Sequence, residues 1–360
     1  MNKQDFLVDR TDLTSVRTAN TEQLTPAQGQ AVLNIERFAL TANNITYGVA
    51  GDMIGYWKFF PAPDPWGRIP VWGIATVSES NDSGLEPGQR FYGYFPMSSQ
   101  LLVTPGKISA RGFTDASKHR ADLPVVYNQY TLVSEDNGFA PALENHMMVY
   151  RPLFTTSFVL DDYFRDNDDF GARAVVLGSA SSKTAFGMAF MLHRSKRVKV
   201  IGLTSNTNLE FVKSLGLYDE IYTYDDVEAM DNTAATAYVD MSGNRSVLVR
   251  VHKHLGENLV ASCGVGITHW ETRDNAPLED LPGAKPTMFF APSQIVKRTE
   301  EWGSAQLQAK IGEATAAFFA EVDRWVGIED HDFSSVEETY RMVLNGAPAD
   351  RGVVIVLENV

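Results

Sequence analysis

The apolar positions change their period near residue 172. Before it they alternate or gather in short β-branched and aromatic runs. QAVLNIERFAL (30–40) and VWGIATVSES (71–80) roughly alternate and are rich in strand formers, which predicts two strands. YWKFFPAPDPWGRIP, dense in aromatics and proline, predicts a long irregular loop between them. SGLEPGQRFYGYFPM (83–97) reads as a turn feeding a short aromatic strand, and 147–164 as a helix.

After residue 172 short apolar runs alternate with helical patterns. Strands are predicted at 174–177, 198–203, 220–223, 237–241, 259–263 and 287–290, with helices at 184–194 and 208–215. Buried strands separated by helices indicate a parallel sheet with crossover helices. Ile311, Ala314, Phe318, Val322 and Trp325 then recur at three- and four-residue steps and predict an apolar stripe in a helical region over 293–326. GVVIVLENV is a final strand, and no internal repeat interrupts the order.

Composition narrows the class. A chain of 360 residues, 44% hydrophobic and 21% charged, suits two ordinary globular domains. No apolar run nears the ~20 residues of a membrane span. MNKQDFLVDRTDLTSV lacks the apolar core of a signal peptide, so a cytoplasmic location with no membrane partner is expected. A net charge of -14 argues against a nucleic-acid partner, which needs a basic face. Cys263 is the one cysteine, which excludes intrachain disulfides and multi-cysteine zinc sites.

Candidate chemistry concentrates in ARAVVLGSASSKTAFGMAF (172–190), an apolar run, a small-residue loop and an apolar helix. A P-loop needs Gly, four residues, then Gly-Lys-Ser/Thr. Lys183-Thr184 supplies the pair, but Ser182 and Leu177 stand at the glycine positions. A nucleophile elbow fails too, with Ala180 at its serine and Ser182 at its second glycine. A dinucleotide site asks for a tight strand-to-helix turn, small side chains and helix-terminal amides. Gly178, Ser179, Ala180, Ser181 and Ser182 are small, and Lys183 adds charge in the first turn. A serine-capped helix without a ligand is the structural alternative. The next strand ends in Thr204-Ser205-Asn206, with no acid until Glu210. An acid there would bind the ribose hydroxyls of NAD, so neutral groups favour NADP, although an ordinary capped turn reads the same way.

In order, these segments resemble the medium-chain dehydrogenase/reductase superfamily, in particular an uncharacterised subgroup of its zinc-free quinone-oxidoreductase and enoyl-reductase branch. LTPAQGQAVLNIERFALTANNITYG resembles the opening strands and loop, and VWGIATVSESNDSGLEPGQRFYGY the next segment, with Gln89-Arg90 where Asp-Arg is usual. VVLGSASSKTAFGMAFML with VKVIGLTSNTNLEFVKSLGLYDEIYTYDD resembles the nucleotide half, and VEETYRMVLNGAPADRGVVIVLENV the closing helix and strand. SASSKTA, GLTS and VGITHW suggest the subgroup. The resemblance implies an α/β protein, with a GroES-like β-domain at 1–145 and 328–360 and a Rossmann doubly wound parallel sheet at 146–327. The branch carries glycines at three-residue intervals; these positions fall on Gly178, Ser181 and Thr184, so one is kept.

The same resemblance implies residue roles. Gly178 with Ser179 to Thr184 would hold the pyrophosphate, Thr204, Ser205 and Asn206 would face the adenosine ribose, and Tyr224 would flank the adenosine. Asp240, Met241 and Ser242, with Gly264, Val265 and Gly266, would form turns near the ribose or nicotinamide. Zinc ligands would lie in the first domain, far from Cys263, so no metal is expected. Hydride transfer also needs a donor for developing charge. The loop LTANNITYGVAGDMIGYW offers Asn44, Tyr47 and Tyr56, each with a structural role as the competing reading. Weaker candidates are Tyr127 and Tyr130, placed on one helical face, His269, and His252 with His254 at a strand-like spacing. Tyr56, Trp57, Phe59, Phe60 and Trp66 point to a hydrophobic substrate, or else to an interface. The expectation is an NADP(H)-dependent, zinc-independent reductase that delivers hydride to an activated C=C or C=O of a hydrophobic small molecule. It would form a homodimer through the edge of the Rossmann sheet. A non-catalytic dinucleotide-binding sensor is the alternative, and a P-loop-like ATPase the third reading.

Overall fold

The computed structural model describes residues 3–265 and 281–357. The chain divides into two units, Met1–Pro152 with Ile328–Val360, and Leu153–Gly327. The helix Glu144–Asp166 carries the chain from one to the other and holds Pro152 within it.

The first unit is built on the strand Gln30–Leu40. It pairs antiparallel with Pro70–Asn81, Gln100–Val103 and the C-terminal strand Arg351–Val356. From Pro70–Asn81 the sheet runs on through Arg90–Pro96, Gln129–Leu132, Gly112–Asp115 and Pro105–Ser109. Val353, Val354 and Ile355 are buried, which explains the unbroken apolar run of that tail. A second sheet joins Val16–Thr21, Lys3–Asp9 and Trp66–Gly67. The expected irregular loop therefore contains a two-residue strand. Gly67 permits it, because a side chain there would overlap the Trp57 ring.

The second unit holds six parallel strands in the order Glu220–Thr223, Lys199–Thr204, Ala174–Gly178, Thr236–Asp240, Leu259–Gly264, Pro286–Met288. In chain order this is 3-2-1-4-5-6, the doubly wound arrangement, with the reversal of direction between Ala174–Gly178 and Thr236–Asp240. Val175, Val176 and Leu177 are fully buried, as a strand covered on both faces requires. The helical region expected over 293–326 is two helices, Ala291–Trp302 and Ser304–Val322. Gly303 separates them at φ +82, a backbone angle that favours glycine. Phe318 stacks on Phe154 with ring centroids 4.5 Å apart. No helix among the described residues is long and apolar enough to cross a membrane.

Candidate dinucleotide and tyrosine sites

The strand Ala174–Gly178 ends at the switch point, where Gly178 lies level with Asp240 of the neighbouring strand. Glycine is needed there: a Cβ would sit 2.8 Å from the Tyr238 hydroxyl. The chain then turns at Ser179, whose φ of +54 is rare for a residue with a side chain. Such strain costs on the order of 1–3 kcal/mol and gathers at functional sites. The Ala180 amide donates to the Leu203 carbonyl at 3.1 Å, and the Tyr218 phenol donates to the Ala180 carbonyl at 2.7 Å. Both backbone groups of Ala180 thus pin the loop to the second strand and its connection.

Ser182 caps the helix Lys183–Ser195, its hydroxyl accepting from the Ala185 amide at 3.3 Å. Ser181 is buried and accepts from the Asn208 side chain at 3.0 Å. The small residues therefore divide by role. Ser179, Ala180 and Ser181 are buried and hold the turn, while Ser182, Lys183 and Thr184 are half-buried at the helix N-terminus. Three residues beyond Thr184, Gly187 lets this helix lie against Ser157, whose hydroxyl would be 2.6 Å from a Cβ. Ser157 also donates to the Thr184 carbonyl at 2.8 Å. The three-residue glycine spacing thus reappears at Gly187, where the sequence carries it in plain view.

The neighbouring strand ends complete the site. Thr204 is buried and its hydroxyl makes no hydrogen bond, an orphaned group at the end of the second strand. Ser205 is half-buried and Asn206 exposed. The Asn206 side chain donates to the Asp225 carboxylate at 2.7 Å. The end of the second strand itself is neutral, and its nearest acid, Asp225, arrives from the end of the third strand, which lies beside it in the sheet. Arg250 brings positive charge to the same corner, donating to the carbonyls of Tyr224 at 2.6 Å and Asp225 at 3.0 Å and pairing with Glu228. Tyr224 hydrogen-bonds Ser179 directly; burial first, then the Asp240 charge, raises its pKa and keeps the phenol neutral.

At the fourth-strand turn Asp240 is buried, and its Oδ1 accepts from the Ser242 amide, the Ser242 hydroxyl and the Gly243 amide at 2.8, 2.6 and 3.1 Å. Burial raises its pKa, against the pull of those donors. Met241 and Ser242 are buried as well. Asp240, Met241 and Ser242 thus form an Asx turn at the end of the fourth strand, held by Asp240 Oδ1. Val265 donates to the Asp240 carbonyl at 2.9 Å and ties the fifth strand end to the fourth. A Cβ at Gly264 would approach the Met288 sulfur at 2.9 Å, in a flexible and exposed side chain on the edge strand that can move aside. Gly266 and His269 lie outside the described residues.

The first unit holds the expected donors. Asn44 is spent on structure: its Oδ1 accepts from the Thr41 amide and hydroxyl at 2.7 and 3.0 Å, and its Nδ2 donates to the Pro70 carbonyl at 2.9 Å. Tyr47 and Tyr56 are buried with ring centroids 4.5 Å apart. The Tyr56 and Tyr127 hydroxyls share a hydrogen bond of 3.2 Å, and the Trp72 indole donates to the Tyr47 hydroxyl at 3.4 Å. Burial raises the pKa of all three phenols, so each is a neutral donor. The sequence places the weaker candidates Tyr127 and Tyr130 on one helical face, with core packing as the competing reading. Instead Tyr127 lies in the short turn Val125–Asn128 and Tyr130 in the strand Gln129–Leu132. Tyr130 points its hydroxyl to the Tyr94 carbonyl at 2.6 Å. Trp57, Phe59 and Phe60 are core residues, and the half-buried Trp66 carries the Arg17 guanidinium over its ring.

Two other expectations change. His252 and His254 sit on the helix Arg245–Leu255, not on a strand. His252 is fully buried between Ser262 (2.9 Å) and the Pro282 carbonyl (3.0 Å). A cavity of about 630 Å³ lies at the C-terminal end of the helix Lys183–Ser195 beside Arg165, Arg194 and Trp302.

Three solved structures illustrate how widely this architecture is shared. CurA from Vibrio vulnificus, solved in complex with NADPH, is 14% identical over 99% of this chain and all of its own, with a TM-score of 0.63. The CurF ER cyclopropanase of the curacin A biosynthetic pathway is 11% identical over 99% of this chain and all of its own, at 0.60. A putative NADPH:quinone reductase from Bacillus thuringiensis is 10% identical over 99% of each chain, at 0.57. Identities this low speak for the fold, the GroES-like and Rossmann pairing of medium-chain dehydrogenases/reductases. No curated protein matches the sequence. A sequence-family model does match, over residues 38–349, most of both units, and the chain accordingly belongs to the family described as Protein of unknown function (DUF2855).

Proposed function

We propose that this protein is an NADP(H)-dependent, zinc-independent reductase acting on an activated C=C or C=O of a hydrophobic small molecule. The observation that carries the reading is the tight Gly178–Thr184 turn at the switch point of a 3-2-1-4-5-6 parallel sheet, below a helix N-terminus with Lys183 in its first turn. The donor set fits a dinucleotide: half-buried Ser182, Lys183 and Thr184 for the pyrophosphate, and the orphaned Thr204 hydroxyl with Ser205 for the adenosine ribose. Bound there, a reduced nicotinamide supplies the hydride. The neutral phenols of Tyr47, Tyr56 and Tyr127 would stabilise an oxygen as negative charge grows on it. Exposed Met53, Ile54 and Val125 flank that trio in sequence and suit an apolar substrate. Homodimerisation through the sheet edge Pro286–Met288 is supported by its exposed residues, Met288 above all.

A dinucleotide-binding sensor is the second reading. It is favoured by the spent Asn44 amide and by phenols whose raised pKa makes them poor proton sources. Titration of the protein with NADPH, NADH and ATP–Mg²⁺, followed by fluorescence or heat, tests both. NADPH is expected to bind best, about ten-fold more weakly in Lys183→Ala, the size of one charge-assisted hydrogen bond. Failure of both reduced nicotinamides to bind would refute the reductase and the sensor together. Binding without turnover of any enone, quinone or aldehyde would leave the sensor.

A further inference from the structure

Arg151 lies in the first unit, on the helix Glu144–Asp166. Its guanidinium stands over the Tyr92 ring at 5.1 Å and the Phe139 ring at 5.6 Å. Among the described residues it forms no ion pair, and its Nη1 is buried without a hydrogen bond. The carboxylates of its neighbourhood in sequence and strand order are already taken. Arg90 holds Glu144 at 2.7 and 3.0 Å and Glu36 at 2.6 and 2.9 Å. Cation–π contacts offset only part of the cost of burying such a charge. An unmade bond on a buried guanidinium adds to that cost. Burial accordingly lowers its pKa.

Two more unmet donors share the cluster. The Tyr92 and Tyr94 hydroxyls are buried and make no hydrogen bond. Alternation along Arg90–Pro96 puts these two side chains on one face of the strand. Tyr92 stacks on Trp72 at 5.5 Å, and Trp72 donates to Tyr47. Tyr94 packs against Tyr127 at 4.7 Å and Tyr47 at 5.6 Å. The cation and the unmet phenols are thus contiguous with the donor trio, through aromatic rings alone.

We propose that Arg151, with the Tyr92 hydroxyl, binds a carboxylate of the substrate, so that the substrate class is an aromatic or conjugated carbonyl compound bearing an acid group. The inference rests on the reductase reading for the word substrate; the binding itself does not. A carboxylate supplies the acceptor that the Arg151 Nη1 and the Tyr92 hydroxyl each lack. In a chain of net charge -14, a cation with no ion-pair partner among the described residues attracts one anion locally while the whole repels others.

The test is calorimetric titration of the cofactor-free protein with 3-benzoylpropionate and with its methyl ester, neither of which contains a reducible C=C. The acid is expected to bind at least about ten-fold more tightly than the ester, the range of a charge-assisted hydrogen bond. Arg151→Met should erase that ratio, Arg151→Lys should keep part of it, and Tyr92→Phe should reduce it several-fold. Equal affinity for acid and ester, binding of neither, or an intact ratio in Arg151→Met would overturn the proposal. Should Arg151→Met fail to fold, the wild-type ratio and Tyr92→Phe decide. NADPH titration runs separately: nicotinamide binding with no preference for the acid removes this inference alone, and the converse removes only the reductase.

Discussion

An alanine at Gly178 would place its Cβ 2.8 Å from the Tyr238 hydroxyl oxygen and 3.2 and 3.3 Å from two ring carbons. Carbon contacts are comfortable near 3.5–4.0 Å. Neither partner can yield easily. Tyr238 is fully buried, and the two strands are held in register from Ala174 opposite Thr236 to Gly178 opposite Asp240. Overpacking of this kind costs about 1–3 kcal/mol. For a unit of this size that lowers Tm by roughly 2–12 °C. Tyr238→Phe removes the atom at 2.8 Å; the hydroxyl also interacts with the buried Asp240 and with Ser242, so the single variant carries a cost of its own, which the cycle subtracts. The double variant should therefore recover at least half of the deficit. Scanning calorimetry of wild type, both single variants and the double variant closes the cycle. An unchanged Tm in Gly178→Ala, or strictly additive changes in the double variant, would refute the close approach as the reason for glycine here.

Other consequences are equally direct. Removing one unit charge at about contact distance in solvent is worth about 1 kcal/mol, so Asp225→Asn should raise the NADPH-to-NADH affinity ratio about five-fold; an unchanged ratio would place the adenosine elsewhere. His252 has a lowered pKa from burial and is neutral when folded, so its contribution is complete above the unfolded value near 6.5 and is lost as pH falls below it. Denaturant titrations between pH 7 and 5 should show a loss of up to about 1.4 kcal/mol per unit, absent in His252→Asn. Met288→Asp, on the exposed sheet edge, should give a monomer by light scattering from a dimeric wild type; a monomeric wild type would remove the dimer.

Much of the second unit was legible in its residue order. Unbroken apolar runs such as Ala174–Leu177 announce strands covered on both faces, and their spacing by helical segments imposes parallel pairing. Gly178 was legible too, as the point where a β run meets a small-residue loop. The stripe through Ile311, Phe318 and Val322 marks a helix by its period, although the break at Gly303 is invisible to a period and obvious only as a φ of +82.

What the order of residues could not convey is which groups meet. Asp225 is nineteen positions from Asn206 yet hydrogen-bonds it, because strand adjacency, not chain distance, sets the neighbours of a strand end. Asn44, Asp240 and Ser242 have the right chemistry for a site, but their hydrogen bonds are consumed by turns. Tyr127 joins Tyr56 only because Val125–Asn128 is a turn that ends in a strand. Arg151 carries no sequence signal at all, since an unpaired guanidinium differs from a paired one solely in what packs around it. Local sequence determined the strands, the loop and its small residues through period and size; the satisfaction of each polar group was decided by long-range packing, which brings partners together or withholds them.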